Sequence, residues 1–190
     1  MIMPEKFARV ADLFDEAESA VKLVERLQDE GVVVPSINEL RYAGFHIIQA
    51  IQATDQGSGS EQIARAEKHC KRAIYDALEL GILDRLNAIR IFEDDYRLVE
   101  VSPVVSNYVE LRKEAQDAVT FIHSINHNDD RDNHYEQCKV YFERLSSIAE
   151  TLQHSRPELN KKLRNLRWKA MATALGLFLG FLTLLFTIIF

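Results

Sequence analysis

Cysteine is scarce in this chain, with only Cys70 and Cys138 among 190 residues. Each sits on the apolar face of a predicted helix and neither belongs to a CxxC pair, so neither a zinc site nor a disulfide framework is indicated, and a reducing cytoplasm fits. No alternating strand pattern and no internal repeat is present. Also missing are a P-loop, a dinucleotide-binding glycine motif, an HExxH helix and a usable Ser/His/Asp order. These absences leave little for an enzyme reading, and no cofactor or resident metal is expected.

Acidic residues are absent after Glu158, while Lys161, Lys162, Arg164, Arg167 and Lys169 follow it. The net charge of −6 therefore divides into an acidic body and a short basic segment. An acidic body does not suit direct nucleic-acid binding, which relies on Lys and Arg displacing phosphate counterions.

What the chain does have is a long uncharged run, AMATALGLFLGFLTLLFTIIF, from Ala170 to Phe190. As a helix it would rise about 1.5 Å per residue, enough to cross a hydrocarbon core of roughly 30 Å. The basic residues and Trp168 before it have the character of a membrane interface on the cytoplasmic side. The expectation is a tail-anchored, single-pass membrane protein with a cytoplasmic N-terminal domain, at the inner membrane if the source is bacterial. Membrane lipids are then among its partners.

The body reads as all-α, an antiparallel bundle of five or six helices followed by one long C-terminal transmembrane helix. Three segments are expected: a bundle over 1–156, a basic juxtamembrane helix over 157–169 and a spanning helix over 170–190. Pro4 and an apolar series from Phe7 to Val24 predict the first helix, stopped by Gly31. Ser36-Ile-Asn-Glu39 has the form of a capping box and predicts a second helix to about Thr54. DQGSGS reads as an exposed loop. A third helix is expected from about Ser60 to Leu80 with a stop or kink at Gly81, then a further helix over Ile82 to Val99. Ser102-Pro103 predicts the start of a helix to about Asn126, and NHNDDRDN reads as a loop. Tyr135 to Gln153 is helical by its stripe Cys138, Phe142, Leu145, Ile148 and Leu152. Ser155-Arg-Pro157-Glu158 looks like one more start signal.

Four groups of residues could carry chemistry. In the last segment Ala172, Gly176, Gly180, Thr183 and Thr187 share one stripe, and Gly176-Leu-Phe-Leu-Gly180 is a small-xxx-small motif that lets helix backbones approach. It predicts a homo-oligomer. Arg65, His69, Arg72 and Tyr75 share one side of the third helix. If that side stands beside the second helix, it forms a basic pocket for an anionic ligand, a nucleotide trigger or a protein partner. His127, Asp129, Asp130, Asp132 and His134 offer ligand atoms without the spacing of an EF-hand, so they read as a solvated turn and not a metal site.

The fourth group is Arg41-Tyr-Ala-Gly-Phe-His46. This Arg-x4-His spacing resembles the HEPN class of small helical domains found in bacterial toxins and antiviral systems. The resemblance implies a ribonuclease in which Arg41 and His46 from two protomers gather around the scissile phosphate. Tyr42 departs from the Asn, Asp or His that often follows the arginine there. Five positions is about 140° around a helix, so the two side chains do not converge within one helix. The apolar neighbours Tyr42, Phe45, Ile47 and Ile48 favour a half-buried structural role for His46.

The function expected from these readings is a membrane effector of the toxin or phage-defence type, whose helical domain self-associates or answers a partner and clusters its terminal helices to perturb the membrane. A tethered HEPN-type ribonuclease and a passive adaptor for a soluble partner are the alternatives.

Overall fold

The computed structural model describes residues 4–27, 31–125 and 131–189, with side chains described as far as Leu184. Five helices account for most of these residues: α1 (Pro4–Leu27), α2 (Val34–Gln52), α3 (Gln56–Asp95), α4 (Tyr108–Ser124) and α5 (Arg131–Ile189). No strand occurs among the described residues. The all-α reading therefore holds for them.

The centre of the molecule is α3, against which α1, α2 and α5 all pack. Ile63, Ala66, Cys70, Ala73, Ile74, Ala77 and Ile82 of α3 are buried to within 1% of full exclusion. They interleave with Val10, Ala17 and Val24 of α1, Ala43 and Ala50 of α2, and Cys138, Leu145, Leu152 and Leu159 of α5. Both cysteines are free and buried. Burial pushes each thiol up to about 12, with nearby carboxylates adding to the rise, so neither is a reactive nucleophile.

Several predicted boundaries move, each for a local reason. The stretch DQGSGS is not a loop. Asp55 caps α3 by accepting from the Ser58 backbone N–H at 2.8 Å, and the helix starts inside the stretch. At Gly81 the helix neither stops nor breaks, because the two predicted helices on either side are the one 40-residue α3. A Cβ there would lie 2.7 Å from Phe142 Cε2 and 3.0 Å from Val24 Cγ2, so the glycine allows α1, α3 and α5 to meet. Ser36 does not form its capping box. It lies inside α2, fully buried with an unpartnered hydroxyl, and Val33 takes the cap position without a side-chain cap bond. The Ser102-Pro103 start gives way to turns, and α4 begins at Tyr108. Residues 131–133 of the expected loop are already helical.

The Ser155-Arg-Pro157-Glu158 start signal is likewise overridden. α5 runs through Pro157 as a single helix of 59 residues, about 90 Å long. Leu152 and Leu159 are buried on either side of the proline, and Tyr96 Oη donates to Asn160 Oδ1 at 2.8 Å. Packing thus holds both sides of the break in line.

The expected spanning helix over Ala170–Phe190 requires correction, and so do the tail-anchored, single-pass, inner-membrane placement and the cytoplasmic assignment that rested on it. Among the described residues no helix is long and apolar enough to cross a membrane. The uncharged run with described side chains is the 15 residues Ala170 to Leu184. Among the described side chains, a membrane-length window that ends at Leu184 takes in Lys169 and Arg167, whose charges lower its mean hydropathy. The side chains of 185–190 lie outside the described residues.

Candidate functional site

A polar seam forms where α2, the middle of α3 and the start of α5 meet. On α2, Glu39 and His46 lie on the inner side of the helix, about two turns apart, and on α3 His69, Arg72 and Asp76 face them at helical spacing. The two imidazoles, one from each helix, stack with ring centroids 5.2 Å apart and planes 13° from parallel. Tyr42 continues the stack on His69 at 5.5 Å, and the Arg41 guanidinium lies 5.0 Å from the Tyr42 ring centre. Phe45 meets His46 edge-on.

Each imidazole is fixed at the same ring atom. His69 Nδ1 is 2.6 Å from Glu39 Oε2 and His46 Nδ1 is 2.7 Å from Gln62 Oε1. Both partners are acceptor oxygens, so each Nδ1 carries the hydrogen and, in the neutral rings, both Nε2 atoms are acceptors.

Towards α5 the seam becomes ionic. Arg131 Nη1 donates to both Asp76 oxygens, at 2.8 and 2.9 Å, while Arg131 Nη2 reaches Glu39 Oε1 at 3.5 Å. Glu39 therefore bridges His69 and Arg131 and ties three helices together. Arg72 and Lys68 of α3 both face Asp132 of α5, at 3.6 and 3.7 Å. Burial raises the Asp76 carboxyl to about 6, against the lowering effect of the Arg131 hydrogen bonds and charge, and Glu39 and Glu79 add to the rise. The pair forms one wall of a cavity of about 280 Å³ whose apolar lining is Val33, Pro35, Leu80 and Leu83.

No protein-family model, curated protein or solved structure matches the chain. The HEPN-like spacing therefore stands on Arg41 and His46 alone.

The structure unites two groups that the sequence kept apart, since His46 and His69 are in contact. It does not bring all their members along. Arg41 is exposed on the outer side of α2, Arg65 is exposed and paired with Glu61 at 2.6 Å, and Tyr75 is fully buried with its hydroxyl donating to Glu79. Burial pushes that phenol well above its ordinary value. The basic side chains His69 and Arg72 already have carboxylate partners. Glu39, Gln62 and Arg131 are the seam residues that sequence reasoning missed, while the sequence places Asp76 only near the third-helix group and Asp132 only in a solvated turn. Asp76 and Glu39 carried a usable signal, because each is an acidic residue at a core-facing helical register.

Asp132 and His134 fall on α5, with His134 Nδ1 beside Gln137 Oε1 at 2.8 Å. His127, Asp129 and Asp130 lie outside the described residues, and no metal-ligating group of three is found among those described.

Beyond Leu159 no described residue of α5 is buried, and from Arg164 to Leu184 every residue is exposed. Lys161, Arg164, Arg167, Trp168 and Lys169 are open to solvent, with Lys162 partly covered. Ala172, Gly176, Gly180 and Thr183 occupy the projecting part, and Thr183 Oγ1 donates to the Gly180 carbonyl. A Cβ at Gly176 or Gly180 would meet nothing within 4 Å. Thr187 lies outside the residues whose side chains are described.

Proposed function

We propose that the chain is a self-associating effector of the toxin or defence type, in which the bundle receives a trigger and the projecting end of α5 delivers the output by associating with that of other copies. The observation that carries this reading is the continuity of α5. One helix begins in the ionic seam at Arg131, crosses the body and ends as an apolar projection on which Leu175, Leu177, Phe178 and Phe181 are all more than half exposed. Apolar surface of this extent is a standing drive to associate. The stripe of Ala172, Gly176 and Gly180 supplies a face where two backbones can approach. A change at Arg131 or Glu39 would be passed along a rigid element to that end.

The test is expression of Gly176→Ile, Gly180→Ile in cells in which the wild-type chain arrests growth. Branched side chains on the approach face should abolish both the arrest and the chemical crosslinking ladder at equal protein level. Arrest and ladder unchanged in the double variant would defeat the reading.

A second reading, ribonuclease action, draws support from one feature: two adjacent imidazoles held at Nδ1, which leaves each neutral ring with Nε2 as an acceptor. In-line phosphoryl transfer to the neighbouring ribose hydroxyl needs such a base and acid pair. RNA cleavage by the purified chain, lost in His46→Ala with thermal stability retained, would establish it over the first.

A further inference from the structure

The outer face of α2 is built to pair with itself. Val34, Ile37, Arg41, Gly44, Ile48 and Ile51 follow one another at intervals of three, four, three, four and three, the spacing of a helix-pairing seam. The structure turns this line away from the body. Ala43 and Ala50 bury the opposite side, while Val34, Ile37, Ile48 and Ile51 are 55, 42, 54 and 68% exposed. A solvated face in a chain with 27% charged residues would be expected to carry several charges. Between Val34 and Ile51 the outer face carries one, Arg41, since Glu39 is turned inward to His69 and Arg131.

From this we infer that two copies of the chain associate through an antiparallel α2–α2 contact about a two-fold axis near Tyr42–Ala43. In that register Val34 meets Ile51 of the second copy, Ile37 meets Ile48, and Arg41 meets Gly44. The large side chain falls opposite the residue without one, where an added Cβ has open space. The arginine stem lies along the glycine, and the guanidinium passes from the Tyr42 ring towards the exposed ring of Phe45 on the second copy, a cation–π partner. A parallel pairing would set Arg41 against Arg41. With Arg41 set against Gly44, the face complements its own reversal, as a two-fold interface requires. One helix pair buries an area at the low end for stable complexes, so the dimer is weak and reversible. This contact is separate from the α5 projection.

The test uses two full-length variants, Ile37→Cys and Ile48→Cys, alone and mixed under mild oxidation. The native cysteines are buried and stay silent. The mixture should give the disulfide-linked dimer at least tenfold more efficiently than either variant alone. In the antiparallel register position 37 of one copy lies about 16 Å along the helix axis from position 37 of the other, beyond disulfide reach. Adding Gly44→Leu to both should remove the crosslink without lowering the melting temperature, whereas adding Gly176→Ile, Gly180→Ile should leave it intact. Crosslinking within the single variants, no crosslink in the mixture, or a crosslink that survives Gly44→Leu would overturn the contact. Loss of the crosslink in the α5 variant would show that α5 and not α2 drives pairing, and would overturn it too.

Discussion

His46 and His69, on different helices, stack face to face at 5.2 Å with each Nδ1 tied to its own acceptor, Gln62 or Glu39. Neither ring can turn without giving up a short hydrogen bond. The pair therefore locks α2 to α3 in register. A double-mutant cycle of His46→Ala and His69→Ala should give a coupling of about 0.5–1.5 kcal/mol, the range for aromatic pairs. His69→Ala should be the costlier single change, because it also leaves Glu39 with Arg131 alone. Additive effects in urea unfolding would show that the stack contributes nothing beyond its separate anchors.

Asp76 gives the body an acid-side stability gain. Its carboxyl titrates at about 6 in the folded chain against 3.8 as the ordinary value. Between those values the folded state binds more protons than the unfolded one, so stability falls as pH rises through about 4 to 6, and the full cost remains above 6. The side chain is only 6% exposed, and the cost of ionising it is at most about 3 kcal/mol. Asp76→Asn should flatten this part of the pH profile and make the chain more stable than wild type at pH 7. Arg131→Met should act in the opposite direction at pH 7, by about 3–5 kcal/mol, because it strands a buried carboxylate. Urea midpoints across pH 4 to 8 distinguish these outcomes, and an unchanged slope in Asp76→Asn would assign the titration elsewhere.

Gly81 tests the close approach of three helices. An alanine there would press its methyl into Phe142 and Val24. Overpacking costs about 1–3 kcal/mol, against a helix-propensity gain of up to about 1. Gly81→Ala should therefore destabilise, and Phe142→Leu in the same chain should recover part of the loss. Stabilisation by Gly81→Ala would mean that the helices are free to separate.

The sequence made the helices legible through their apolar stripes, and the core residues Val24, Cys70, Cys138, Leu145 and Leu152 are among those the stripes mark. What it concealed were the joins. By local preference Gly81 is a stop or kink signal and Pro157 a start signal, but at both sites burial on either side outweighs that preference. In DQGSGS, Asp55 turns a glycine-rich stretch into a capped helix start. The seam was half visible: His46 and His69 were each identified, but their contact depends on the α2–α3 register. Arg131 was hidden in a run that read as loop. The uncharged tail is a spanning segment by its length alone, whereas among the described residues no helix is long and apolar enough to cross a membrane.

Pro157 offers the sharpest test of whether α5 is one element. A proline inside a helix gives up one backbone bond and crowds the carbonyl four residues earlier, and it costs about 3 kcal/mol relative to alanine. If it opened a separate helix, its missing N–H would cost nothing and its fixed φ would help. The two cases predict opposite signs for Pro157→Ala. In the continuous α5, Leu152, Leu159 and the Tyr96–Asn160 bond hold the helix straight through the proline, so the alanine should restore the missing bond to the Gln153 carbonyl and raise stability by about 1–3 kcal/mol. Amide exchange between residues 153 and 161 should slow together with it, and Tyr96→Phe should reduce the protection again by about 1 kcal/mol. A destabilised Pro157→Ala with faster exchange after residue 157 would show that the body and the projecting helix are joined at a boundary, and the mechanical link from Arg131 to the apolar end would fall with it.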